Sequence, residues 1–180
     1  YLPNKCEGKK YPAVIIQHGS GSPNYEFYKN TALALNRRGI VALVPNSFSA
    51  RGISSTGKDQ SQLSKATRIY DSFSAFRYLQ SLSCVDAKRV GITGYSFGGI
   101  ISIDSVETAL AEKLGNGHVY KATLPVYPSC QAAFITTDPT NTHVHILAGE
   151  KDDYTPASYC VDFAKVKKTN GWKIDITILE

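Results

Sequence analysis

The sequence predicts an α/β fold: a mostly parallel sheet of about six strands with helices on both faces. Three observations predict it. Six short runs rich in β-branched and other apolar residues alternate with helix-period segments, the pattern of parallel strands joined by crossover helices. One of those segments, 62–81, places Leu63, Ala66, Ile69, Tyr70, Phe73, Phe76 and Leu79 at three- and four-residue spacing, a single apolar helical face. The third is a strand-like run that ends abruptly in Gly94-Tyr95-Ser96-Phe97-Gly98-Gly99 before a helix-forming stretch. The chain has 180 residues, 42% of them hydrophobic and 19% charged, which suits one domain with a substantial core.

In chain order, strands are expected at 13–17, 40–44, 89–93, 120–126, 143–148 and 173–179, and helices at 26–38, 62–81, 98–114 and 156–169. The first strand runs into the turn Gln17-His18-Gly19-Ser20-Gly21. After the second, residues 45–57 form a polar loop rich in glycine and serine. Val90, Ile92 and Thr93 make the third strand a short buried one. There is no internal repeat and no interdomain linker, so residues 1–180 read as one domain.

Composition excludes several classes. The net charge of +5 is modest and dispersed. Its densest cluster, Lys165, Lys167 and Lys168, reads as the solvated end of a helix. No basic stripe with interleaved aromatics exists, so no nucleic-acid partner is expected. No apolar run approaches ~18 residues, so no membrane span is expected. The four cysteines, Cys6, Cys84, Cys130 and Cys160, are too widely spaced for a disulfide-framework miniprotein, and no Cys-x-x-Cys is present. Cys130 and Cys160 fall on consecutive loop–helix regions near the top of the sheet, where a disulfide and two buried thiols are the alternatives. The first residues are not a signal peptide, and a signal removed before residue 1 leaves the compartment open. The stretch Gly52 to Asp59 resembles a phosphate-binding loop but carries Asp59 where a hydroxyl residue belongs, and no strand ends at its first glycine. No Gly-x-Gly-x-x-Gly motif follows a strand, so a dinucleotide site is not indicated.

The strand–turn–helix around Ser96 carries the chemistry. Gly94-x-Ser96-x-Gly98 fits a nucleophile elbow, in which the glycines let strand and helix approach and a strained turn exposes the serine oxygen. A serine hydroxyl needs a base to take its proton and donors to hold the oxyanion. The N–H of Phe97, next after the nucleophile, is one expected donor. The second is expected from the loop after the first strand, Ser20 first and Gly19 second. Gly149-Glu150-Lys151-Asp152-Asp153-Tyr154-Thr155-Pro156 follows a strand and precedes a helix, where an acid can orient a histidine. Asp152 is the expected acid. Asp153 is left to cap the following helix or face water.

Four segments together resemble the dienelactone hydrolase family of α/β hydrolases: Gly-Tyr-Ser96-Phe-Gly-Gly, Gly-Glu-Lys-Asp152-Asp-Tyr-Thr-Pro, Tyr127-Pro-Ser-Cys130, and the Asn46-Ser-Phe-Ser-Ala-Arg-Gly52 loop. The likeness runs from about residue 13 to 179. It implies an α/β-hydrolase core and hydrolysis of small esters or lactones through nucleophile, acid and histidine, with no metal or organic cofactor. Founding members carry cysteine at the elbow, where this chain has Ser96. The family's histidine follows the last strand, so the resemblance implies a domain cropped at both ends, its histidine lying after residue 180. None of the four histidines here is well placed as a substitute. His143 and His145 begin a strand at the edge opposite the elbow and share one face without a third metal ligand. His118 lies on the same wrong side, and His18 belongs to the oxyanion loop. Two other readings stay open: a serine peptidase like the prolyl oligopeptidases, and an inactive binding protein on a hydrolase fold. Substrate groups and oligomeric state are not encoded in any motif.

Overall fold

A computed structural model describes residues 1–2, 8–23, 25–133 and 138–180; Cys6 lies outside them. The described strands are β1 (Tyr11–Gln17), β2 (Val41–Leu43), β3 (Val85–Tyr95), β4 (Ala122–Val126), β5 (His143–Gly149) and β6 (Lys173–Leu179). The helices are α1 (Glu26–Asn36), α2 (Lys65–Ser81), α3 (Phe97–Asp104), α4 (Thr108–Gly115) and α5 (Ala157–Thr169). All strand pairs are parallel, in the order β2-β1-β3-β4-β5-β6. The chain therefore winds outward from β1 in one direction and from β3 in the other. Their C-terminal ends form the reversal point where ligands of such sheets bind.

The period of two along β1 sets the layers. Ala13 and Ile15 face one side and join a core with Val90 and Ile92 of β3 and with Ile69, Phe73 and Phe76 of α2. Ile16 faces the other side and packs on Tyr28 and Ala32 of α1. A second core on the α2 side joins Val144, Ile146 and Ile174 of β5 and β6 to Cys160 and Ala164 of α5. Helices thus lie on both faces.

Differences from the sequence reading have local causes. β3 begins at Val85, ahead of the expected 89, because Tyr11 pairs with Val85 before a register shift brings Ala13 opposite Val90. That early part carries Asp86, Lys88 and Arg89, which hide its strand character. The expected helix 98–114 is two helices. The segment between them bonds sideways to a neighbouring loop: the Thr108 N–H donates to the Asp138 carbonyl and the Thr140 N–H to the Val106 carbonyl. α2 starts at Lys65, with the Ser64 hydroxyl accepting the Thr67 N–H, and Ala66 and Tyr70 lie exposed. Lys167 is not solvated. It is buried, its ammonium 4.2 Å from the Trp172 ring centroid and 3.8 Å from a Glu107 carboxylate oxygen. Cys130 and Cys160 form a disulfide, and Cys84 is also disulfide-bonded.

The glycines of the turn are fixed by close approach. A Cβ on Gly94 would overlap the Gly98 carbonyl, and one on Gly98 would overlap the Gln17 carbonyl and sit 2.6 Å from that of His18. Helix α3 therefore enters directly against the end of β1. Gly98→Ala should cost about 2–4 kcal/mol, because the obstacle is backbone and cannot yield as a side chain would. Gly149→Ala, whose Cβ would make an ordinary 3.7 Å contact with Asp152, should cost less than about 1 kcal/mol. Urea unfolding of the two variants measures the difference.

Candidate active site

Strand β3 ends in the core, and Ser96 follows it with φ 54° and ψ −119°, a conformation costly for any residue with a Cβ. Surrounding bonds impose it. The Ser96 N–H donates to the Val126 carbonyl at 3.0 Å, and the Ser96 carbonyl accepts from Gly99 at 2.8 Å and Ile100 at 3.2 Å. The side chain stands at the start of α3, half-buried, beside the loop that follows β1.

Phe97 is the first residue of α3, so its N–H is one of those a helix leaves without an internal acceptor. In the β1 loop, the Gly19 N–H donates to the Tyr28 hydroxyl at 2.8 Å. Gly19, the second choice as donor, is thereby engaged, which leaves Ser20. The Ser20 carbonyl accepts from Thr56 N–H at 2.8 Å and from the Ser55 hydroxyl at 3.0 Å, which fixes the Ser20–Gly21 peptide. A Cβ on Gly19 would lie 3.6 Å from the Ser96 Cβ, which measures how near this loop comes.

Behind the loop lies a residue that the sequence reading did not single out. Arg68 of α2 is buried, its guanidinium donating to the His18 carbonyl and, at 3.4 Å, to the Gly19 carbonyl. It lies 5.1 Å from the Phe97 ring centroid and 5.6 Å from that of Phe48, and burial lowers its pKa to about 10. Its signal was present: Arg68, Ser72, Ala75 and Leu79 repeat at four, three and four residues on the buried stripe of α2.

His18 is fully buried. Its Nδ1 lies 2.8 Å from the Gly19 carbonyl oxygen and its Nε2 accepts the Ser47 N–H at 3.4 Å, a pair of bonds that requires the neutral Nδ1–H tautomer. Burial, then the Arg68 charge, lower its pKa to about 4. With both ring nitrogens engaged, His18 is a structural neutral imidazole. The other histidines lie elsewhere: His118 stacks on Phe76, His143 meets the Asp175 carboxylate at 3.0 Å, and His145 meets the Thr177 hydroxyl at 2.9 Å. Among the described residues, no group of three histidine, cysteine or carboxylate side chains is placed to hold a metal ion.

The loop after β5 holds Asp152. One carboxylate oxygen accepts the N–H groups of Tyr154 at 3.0 Å and Thr155 at 2.8 Å; the other accepts the Thr155 hydroxyl at 2.6 Å. These bonds, that hydroxyl first, lower its pKa and keep it ionised. Asp153 is exposed. Tyr154 and Thr155 line the cleft that contains Ser96, so serine and acid loop are brought to one sheet edge. Two cavities flank the serine. One, of about 400 Å³, is rich in aromatic rings. The other, of about 220 Å³, includes Gln60, Ser129, Ala132 and Thr155.

The His18 environment has a measurable pH signature. Between about pH 6.5 and pH 4 the unfolded chain binds a proton that the folded chain excludes. This contribution to stability is complete above about pH 6.5 and lost as pH falls through that window, on the order of 2–3 kcal/mol by about pH 4.5. Urea midpoints of the unmodified protein should therefore fall more between pH 7 and 4.5 than those of His18→Asn; parallel profiles would contradict the assignment.

Comparison with known proteins agrees with this architecture. A fold match covers 99% of this chain and 77% of a Klebsiella pneumoniae protein described as a dienelactone hydrolase, with TM-score 0.77 and 18% identity. Another covers the whole chain and 76% of the butyrate-bound thermophilic esterase Est2 of Thermogutta terrifontis, with TM-score 0.73 and 16% identity. That esterase also has a structure phosphorylated by paraoxon, matched at TM-score 0.75 and 18% identity over the whole chain and 75% of the esterase. In sequence, a 95-residue segment is 30% identical to the thiohydrolase apmlB of Arthrinium phaeospermum, spanning 52% of this chain and 30% of that relative. No described helix is long and apolar enough to cross a membrane. The dienelactone hydrolase family model matches residues 1–180, and the chain belongs to that family of hydrolases.

Proposed function

We propose that this protein is a serine hydrolase of small carboxylic esters or lactones, working through an acyl-enzyme on Ser96. The observation that carries the reading is the strained Ser96 between β3 and α3, at the start of a helix and beside the Gly19–Ser20 loop in one cavity. In the mechanism, the Ser96 oxygen attacks the ester carbonyl carbon and gives its proton to a histidine base. The negative carbonyl oxygen of the tetrahedral intermediate is held by the N–H groups of Ser20 and Phe97, at the positive end of α3. Collapse expels the alcohol, which takes the proton back from the imidazolium; water then attacks the acyl-enzyme by the same route in reverse.

Asp152 would stabilise that imidazolium, since its carboxylate is ionised and fixed by its own loop. The base itself would come from outside the described residues, because each described histidine is engaged elsewhere. No metal or organic cofactor enters this scheme. The fixed loop also explains why Asp152, rather than the exposed Asp153, suits the role.

Hydrolysis of short p-nitrophenyl esters by the intact protein tests the assignment. Ser96→Ala should lose about three to four orders of magnitude in kcat, and labelling by a fluorophosphonate probe should map to Ser96 by mass spectrometry. Asp152→Asn should lose at least about a hundredfold, against less than about twofold for Asp153→Asn. Comparable losses for the two aspartates would refute the acid assignment, and undiminished turnover by Ser96→Ala would refute the mechanism.

A further inference from the structure

The larger cavity beside Ser96 is walled by six aromatic side chains from four segments: Tyr25, Phe27 and Tyr28 at the start of α1, Tyr95 at the end of β3, Tyr127 after β4, and Tyr154 in the acid loop. Core packing accounts for Tyr28 and Tyr95 but not for the other four. Tyr25, Phe27, Tyr127 and Tyr154 are exposed, Tyr154 at 79%. Five of the rings nevertheless form a connected belt, with Tyr154 lining the same cavity. Phe27 meets Tyr95 edge-on at 4.6 Å, Tyr25 lies parallel to Tyr28 at 6.3 Å, and Tyr95 meets Tyr127 at 6.0 Å. Tyr28 is anchored by the Gly19 N–H, and Tyr127 is held at φ 37° with its N–H bonded to the Leu147 carbonyl at 2.7 Å. A left-handed backbone at a tyrosine is a costly way to direct a ring.

Charge is absent from the lining. Neither cavity flanking Ser96 is lined by a lysine, arginine, aspartate or glutamate among the described residues. Two charges lie behind the lining: the Asp152 carboxylate, which adds to the burial that disfavours ionisation of Tyr127, and the buried Arg68 guanidinium, which acts on Tyr28 in the opposite sense. An anionic ligand would find no charged side chain in the lining to pair with. A flat neutral ring would continue the edge-to-face and stacked contacts already present.

From this belt we propose that the cleft binds the aromatic half of a neutral ester, the other half being small enough for the 220 Å³ cavity on the far side of Ser96. This rests on the reading of Ser96 as the nucleophile. It names the substrate class: an aryl or arylalkyl ester of a short partner, without a free carboxylate on the ring. Saturated rings of the same size lose the ring–ring contacts, and two such contacts at ordinary strength amount to about tenfold or more.

Binding to the intact Ser96→Ala protein, followed by NMR titration, tests this apart from catalysis. Benzyl acetate is compared with cyclohexylmethyl acetate, and methyl phenylacetate with methyl cyclohexylacetate, since each pair keeps a similar leaving alcohol. In at least one pair the aromatic member should bind about tenfold tighter. Adding a ring carboxylate, as in 4-(acetoxymethyl)benzoate, should weaken binding about tenfold. Phe27→Leu and Tyr154→Ala should each bring the aromatic-to-saturated ratio towards one. Equal affinities within both pairs, or undiminished binding of the carboxylate, overturn the proposal. Selective binding without turnover by the unmodified protein would sink the serine-hydrolase reading and leave the cleft assignment standing; turnover with no selectivity would do the reverse.

Discussion

One buried cation organises the sheet edge that carries Ser96. The Arg68 guanidinium donates to the carbonyls of His18 and Gly19 and lies against the rings of Phe48 and Phe97. Desolvating a guanidinium is costly unless its donors are satisfied, so α2, the β1 loop and the start of α3 are bound into a single arrangement. Carbonyls drawn towards Arg68 leave the loop's remaining N–H directed away from it. Burial first, and the same charge second, hold His18 neutral, which suits a ring donating at Nδ1 and accepting at Nε2.

The second constraint is steric. Gly98 lets α3 approach the end of β1 more closely than any side chain would allow. Position and electrostatics are then two views of one packing event: the helix end that favours negative charge is delivered to the loop that follows β1. Sheet order matters as well. Because β1 and β3 are neighbours from which the chain winds in opposite directions, the space above their ends is not closed by a crossover connection.

Much of this was legible in the sequence where pattern reflects a repeating geometry. The six strands, the helix over most of 62–81 and the glycine turn at Ser96 follow from periodicity and from the absence of Cβ atoms. What escaped reading depended on partners distant in sequence. Arg68 was not singled out, because its role comes from β1-loop carbonyls 49 and 50 residues away. Tyr28, nine residues beyond Gly19, takes up that residue's N–H with its hydroxyl. The break between α3 and α4 is imposed by residues 138–140, and nothing within 98–114 announces it. Lys167 was misjudged for the same reason: its burial follows from Trp172 and Glu107 rather than from its basic neighbours.

The Cys130–Cys160 bridge has a consequence that falls mainly on the denatured chain. It ties residues 30 apart and so encloses all of β5, Asp152 and Tyr154 within one covalent ring. In the chain-entropy account, a ring of that size withholds about 3–4 kcal/mol of disorder from the unfolded ensemble. The acid loop and the Ser129 wall of the cleft thus remain neighbours even when the sheet has melted. Cleaving that bridge alone would release the tether of the β5–α5 half, while the β1–β3 half, with Ser96 and Arg68, keeps its own packing and the disulfide of Cys84.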